Sequence, residues 1–166
     1  MSKKMKLKKN IFIFTTIILL TSSIQSSAKI VGNYIIFGSS ISLTGKYSSE
    51  GELLKDKQKK FIENINKNDG IKISGKTYKL DIIYYDNESR DNRASQLTRR
   101  LIENEGVEFL IGPINLKLSN ELQNYISDNQ LPIVSSNDAL KVYINAFKTI
   151  DSVDSKKIRK YIIDNK

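Results

Sequence analysis

The side chains that most often carry enzyme chemistry are scarce in this sequence. It has 166 residues and contains no His, no Cys and no Trp, which removes the imidazole base, the thiol nucleophile and the usual zinc ligands. A nucleophilic serine would then need Lys as its base, and Ser155-Lys156-Lys157 lacks the Ser-x-x-Lys spacing. Asp81 and Asp86 could form a carboxylate pair, but Asp81 falls in a predicted strand whose alternation points it away from the Asp86 loop. We therefore expect a protein that is not an enzyme.

Motifs for phosphate and metal binding are also missing. The stretch from Gly38 to Gly51 has only Gly45 between its ends, which excludes a G-x-G-x-x-G fingerprint, and no Ser or Thr follows Gly45-Lys46 as a phosphate-binding loop requires. Residues 86–91 are rich in oxygen donors, but the sixth position is not Gly and Arg90 occupies a ligand position of a calcium loop. The pattern favours a structural loop that ends in a helix cap at Asp91. No metal or cofactor is expected.

The amino terminus has the pattern of a cleavable export signal. Five Lys residues lie within residues 3–9, an apolar run follows from Ile11 to Leu20, and a stretch of small polar residues ends in Ser26-Ser27-Ala28. We expect residues 1–28 to be a signal peptide and residues 29–166 to be the mature periplasmic domain. Without the five Lys residues the balance is 22 basic against 18 acidic side chains, so the basic character no longer indicates a nucleic-acid partner.

The mature chain alternates between strand-like and helix-like segments. Short β-branched runs predict strands, and apolar residues at helical spacing predict helices. The predicted strands are 34–38, 71–73, 78–85, 107–111 and 131–134, and the predicted helices run from about 51 to 69, from 91 to 106, over 119–128, and around Ile158, Tyr161 and Ile162. A polar loop is expected between the strand that ends at residue 134 and the last helix.

This alternation predicts an α/β domain with a mainly parallel sheet flanked by helices. Ligands of such sheets bind outside the carboxyl ends of the strands. Four loops are therefore expected on the binding face, at residues 39–50, 86–91, 112–118 and 135–140.

Several fragments in the same order resemble a known family. They are Ser42-Leu43-Thr44-Gly45, Phe61 to Asn66 before Asp69-Gly70-Ile71, Tyr85-Asp86-Asn87, Arg93-Ala94, Phe109 to Pro113, and Leu131 to Ser135. Together they resemble the amino-terminal lobe of a type I periplasmic substrate-binding protein of the branched-chain amino acid (leucine-binding) group. The resemblance implies one lobe of a two-lobed clamp that holds a small solute and delivers it to an ABC permease in the membrane.

The resemblance also implies where a ligand would bind, although the residue types depart from the family pattern. Leu116 stands where family members usually place a hydroxyl residue that holds the ligand carboxylate, and Ala139 stands at a position usually occupied by Thr. Asn115 and Asn137 could donate hydrogen bonds instead. The predicted ligand-binding residues are Glu50, Asn115, Leu116, Ser136, Asn137 and Ala139.

The sequence is therefore interpreted as the substrate-binding component, or an incomplete amino-terminal lobe, of an importer for amino acids or similar small solutes. Two alternatives stay open: a structural remnant that binds no ligand, and a lobe that works only with a separately encoded second lobe. The ligand itself cannot be named from the sequence, because both lobes would determine specificity.

Overall fold

A computed structural model of the chain describes residues 29–165, so the predicted signal peptide at 1–28 lies outside the described residues. The secondary-structure elements alternate along the chain as expected. The strands are β1 (Ile30–Val31), β2 (Tyr34–Ile41), β3 (Ile71–Ile73), β4 (Lys76–Asp86), β5 (Phe109–Ile111) and β6 (Ile133–Val134). The helices are α1 (Ser48–Lys67), α2 (Asp91–Glu103), α3 (Asn120–Asp128), α4 (Ala139–Ile150) and α5 (Ser155–Asp164).

The strands form one mixed sheet in the order β3-β4-β2-β5-β6, with β1 paired beside β2. Strand β2 is parallel to both β4 and β5, and β5 is parallel to β6. The β3–β4 hairpin and the short β1–β2 pair are antiparallel. The predicted fold class, a mainly parallel sheet flanked by helices, is confirmed.

Alternate residues of the central strand pack into two cores on opposite faces of the sheet. Ile35 and Phe37 of β2 join the core beneath α1, α4 and α5, whereas Ile36 joins the core beneath α2 and α3. This arrangement follows from the two-residue repeat of a strand. Because helices cover both faces of the sheet, the carboxyl ends of the parallel strands remain open for a ligand.

The prediction of a polar loop between residue 134 and the last helix is wrong over most of that segment, because α4 occupies Ala139–Ile150. Its buried residues recur at helical spacing: Ala139, Leu140, Tyr143, Ile144, Ala146 and Phe147. The rings of Tyr143 and Phe147 pack against Phe37 and Phe109, with centroids 4.9 to 6.2 Å apart. Helix α4 is therefore a principal part of the core.

Other boundaries differ by a few residues, and the short strand β1 was not expected. Strand β2 continues through Ser39, Ser40 and Ile41, which pair with residues 84–86 of β4. Asp91 is not the cap of α2 but its first residue, and its carboxylate accepts a hydrogen bond of 3.0 Å from the backbone N–H of Lys117.

Within residues 29–165, no helix combines the length and apolar character needed to cross a membrane.

Candidate functional site

A cleft of about 200 Å³ opens at the carboxyl ends of the parallel strands. It draws residues from all four loops that were expected on this face. The lining consists of Ser39, Ser40, Ile41, Ser42, Tyr47, Glu50, Gly51, Leu54, Asn87, Gly112, Pro113, Ile114, Asn115 and Asn137. The end of β2 forms its floor, the first turns of α1 form one wall, and the segment after β5 forms another.

The start of α1 lies very close to the end of β2 because residue 51 is glycine. A Cβ atom at Gly51 would lie 1.7 Å from the carbonyl oxygen of Ser42, so any larger residue would force the helix away. This contact fixes the first turn of α1, and with it Glu50 and Leu54, beside the floor of the cleft.

Asp86, the last residue of β4, fastens the β2–α1 loop to the end of its own strand. Its Oδ1 atom accepts hydrogen bonds from the backbone N–H groups of Leu43, Thr44 and Glu88 at 3.0, 3.2 and 2.9 Å. Its Oδ2 atom accepts the hydroxyl of Thr44 at 2.8 Å. Burial by itself would raise the pKa of Asp86, but these hydrogen bonds outweigh burial and lower the pKa below its ordinary value of 3.8. The residue is structural, as expected for this acidic loop.

Asn87 forms a second, fully buried connection beneath the cleft. Its Oδ1 atom accepts hydrogen bonds from the Ser42 hydroxyl at 2.7 Å and from the Ser89 backbone N–H at 3.0 Å. These two donors fix the orientation of the amide, and its Nδ2 atom is buried without a partner among the described residues. The Ser40 hydroxyl, also in the lining, is buried and unpartnered in the same part of the structure. Two hydrogen-bonding groups are therefore unsatisfied beside the cleft.

The β6–α4 loop reaches the cleft through Asn137. Its neighbour Asp138 forms ion pairs with Lys57 of α1 at 3.3 Å and Lys141 of α4 at 3.1 Å. Hydrogen bonds and charge from Lys141 and then Lys57 lower the pKa of Asp138. The exposed Lys57–Asp138 pair connects α1 to the start of α4, next to Asn137.

Comparison with known proteins identifies the family. The profile described as "Periplasmic binding protein" matches residues 35–159, which include every residue that lines the cleft. The chain belongs to the periplasmic binding protein family.

Two solved structures match part of the chain. A crystal structure from Silicibacter pomeroyi, provisionally described as a branched-chain amino acid ABC transporter, is 20% identical, covers 70% of this chain and 29% of its own, and has a TM-score of 0.52. The isoleucine complex of the substrate-binding protein LivJ from Streptococcus pneumoniae is 18% identical, covers 59% of this chain and 27% of its own, and has a TM-score of 0.49. The chain thus spans less than a third of the length of these proteins.

Three of the six predicted binding residues line the cleft of this periplasmic binding protein. Glu50, Asn115 and Asn137 are exposed there. The other three do not line it: Leu116 is half-buried in the next position of the loop, Ser136 uses its carbonyl to accept the N–H of Ala139 at 3.2 Å, and Ala139 is buried at the start of α4. A ligand-binding role for all six stays a prediction.

The sequence analysis missed the residues that form the floor of the cleft. Ser39 and Ser40 lie within the predicted loop 39–50 but belong to β2, and Asn87 lies within the loop 86–91, which was tested only for calcium and helix capping. The available signal was a run of small polar residues directly after an apolar strand. Such residues at the carboxyl end of a parallel strand are candidates for ligand contacts.

The groups in the cleft of this periplasmic binding protein suit recognition of a small polar molecule. Hydroxyl and amide groups of the Ser and Asn residues supply hydrogen bonds, while Ile41, Leu54 and Ile114 supply apolar surface. No Lys or Arg is among these lining residues. Mixed apolar walls with a few convergent polar groups are typical of small-molecule sites.

Proposed function

We propose that this chain is a solute-binding component, acting as one lobe of a periplasmic clamp, of an ABC importer for amino acids or similar small solutes. The single observation that carries the proposal is the cleft at the carboxyl ends of four parallel strands, within the residues matched to the family. A small solute would lie against the ends of β2 and β5, between the first turn of α1 and Asn115. The first ligands to test are branched-chain amino acids, because the structure from Silicibacter pomeroyi that shares the fold carries that description.

The size of the cleft supports the role of one lobe rather than a complete binding site. Small-molecule sites usually enclose about 300–1,000 Å³ and bury most of the ligand surface, whereas this cleft measures about 200 Å³. A ligand bound in this cleft would have one side that the chain does not cover. The second lobe of a clamp, or a separately encoded partner lobe, would cover that side, and an ABC permease would receive the solute.

The test is titration of the full-length chain with L-leucine, L-isoleucine and L-valine, followed by calorimetry and by NMR shifts of Asn87 and Asn115. We expect a dissociation constant near 1 mM, equivalent to about −4 kcal/mol, with the shifts confined to cleft residues. Absence of any shift at amino acid concentrations well above 1 mM would contradict the proposal and favour the structural remnant. Micromolar binding would show that the chain is sufficient as a receptor without a second lobe.

A further inference from the structure

The charge of the cleft lining comes from one residue. Glu50 is exposed in the first turn of α1 and is the only acidic or basic side chain among the lining residues. Among residues 29–165, none forms a hydrogen bond or an ion pair with the Glu50 carboxylate. Lys46, four residues before Glu50, places its ammonium 5.0 Å from the ring centre of Tyr47. A ligand that enters the cleft therefore meets an unpaired negative charge.

The buried end of the same cleft offers neutral hydrogen-bond groups. Asn87 is fully buried, its amide orientation is fixed by Ser42 and Ser89, and its Nδ2 donor is unpartnered. The buried hydroxyl of Ser40 is also unpartnered. A buried donor without an acceptor destabilises the protein, so a ligand oxygen that reaches these groups would relieve that cost.

From these two observations we propose that the cleft selects solutes with a primary ammonium group, which Glu50 binds, and with a neutral oxygen acceptor that faces Ser40 and Asn87. This inference rests on the proposed function and specifies its ligand class. A free carboxylate is not required, because the lining has no cation to balance it and burying an unpaired charge is costly. An amino acid amide would satisfy both ends of the cleft.

The presence of Glu50 at this position also has an explanation that involves no ligand. An acidic residue in the first turn of a helix interacts favourably with the helix dipole and needs no ligand. Glu52 provides the matched control, because it lies on the same helix two residues later, is exposed, and does not line the cleft.

The experiment compares three probes that share one aliphatic skeleton, using the full-length chain and its Glu50→Gln and Glu52→Gln variants. L-leucinamide has the ammonium and a neutral amide, L-leucine has both charges, and 4-methylpentanoate has only the carboxylate. We expect L-leucinamide to bind at least as tightly as L-leucine and at least fivefold more tightly than 4-methylpentanoate. Glu50→Gln should abolish this preference, whereas Glu52→Gln should retain it, with circular dichroism showing that both variants are folded.

Two results would overturn the inference in distinguishable ways. If 4-methylpentanoate binds as tightly as L-leucinamide, or if Glu50→Gln keeps the preference, the cleft binds solutes but Glu50 does not select an ammonium group. If none of the three probes binds the unmodified chain, the proposed function fails and the inference fails with it.

Discussion

The hydroxyl of Ser42 donates a hydrogen bond of 2.7 Å to Oδ1 of Asn87 and so joins the ends of the parallel strands β2 and β4 beneath the cleft. Both residues are buried. The ends of these strands are also joined through the backbone, where Asn87 donates its N–H to the carbonyl of Ile41 at 3.0 Å. The floor of the cleft is therefore held in place by the polar groups of two strand ends.

We predict that Ser42→Ala destabilises the protein by about 1–2 kcal/mol, because it removes one of the two donors to the buried Asn87 oxygen. Urea denaturation measures this free energy of unfolding. Ser49→Ala is the control: Ser49 is exposed on α1, and surface substitutions usually change stability by less than about 0.5 kcal/mol. Equal midpoints for the two variants would contradict the prediction.

From the hydrogen bonds of Asp86 we predict that the protein loses stability in acid. Its pKa in the folded protein lies below the ordinary value of 3.8, since the hydrogen bonds from Leu43, Thr44 and Glu88 outweigh the effect of burial. The ionised carboxylate therefore contributes stability that is complete above about pH 4 and is lost as the pH falls through the lower, folded-state pKa. Thermal melts between pH 6 and pH 2.5 should show this decline.

The variant Asp86→Asn separates this contribution from general acid denaturation. It should be less stable than the unmodified chain at pH 6 by about 1.5–3 kcal/mol, the usual range for hydrogen bonds to a charged group. The difference should shrink as the pH approaches 2.5. Asp56→Asn, at an exposed position on α1, should leave the acid profile unchanged. A constant difference between Asp86→Asn and the unmodified chain across this pH range would refute the assignment.

The fold was predictable from the sequence because its signals are local. Apolar runs bounded by Gly and polar residues specify the strands, and the alternation of strands and helices specifies a parallel sheet. Helix α4 lies where a polar loop was predicted, although its own residues carry a helical pattern. Mainly polar segments at 135–138 and 151–154 flank an apolar pattern from Ala139 to Phe147 that has the helical repeat. That pattern was sufficient to predict the helix.

The candidate site was predictable only in outline. The rule that ligands bind at the carboxyl ends of parallel strands placed the loops of Glu50, Asn115 and Asn137 on one face, and the structure lines one cleft with these three residues. The roles of Ser40 and Asn87 depend on how far β2 extends along β4, because that register decides which polar groups are buried. Register is a property of strand pairing, and the sequence of a single strand does not contain it.

Tyr143 provides a test of whether α4 stabilises the core. Its hydroxyl is fully buried and shares its single proton between the carbonyl oxygens of Leu110 at 2.8 Å and Pro132 at 2.9 Å. Burial raises the pKa of Tyr143 well above its ordinary value, so the phenol stays protonated as a donor. We predict that Tyr143→Phe lowers the free energy of unfolding by about 1–2 kcal/mol.

The control for Tyr143→Phe is Tyr161→Phe on α5. The hydroxyl of Tyr161 accepts a hydrogen bond of 3.1 Å from Asn145 at an exposed position, where water can replace it. Its loss should change the free energy of unfolding by less than about 0.5 kcal/mol. If both variants melt at the temperature of the unmodified protein, the hydrogen bonds of Tyr143 contribute no net stability.

We predict that the chain is exported and cleaved after Ala28, so that the mature protein begins at Lys29. Small residues at Ser26 and Ala28 match the site that a signal peptidase recognises, after a basic segment and an apolar run. Intact-mass measurement of protein from the periplasm of an exporting host should give the mass of residues 29–166. Ala28→Leu should block cleavage and yield the mass of residues 1–166 in the membrane fraction, whereas Gln25→Leu, outside the small-residue positions, should be processed normally. Recovery of the unmodified chain at full length in the cytosol would contradict this prediction.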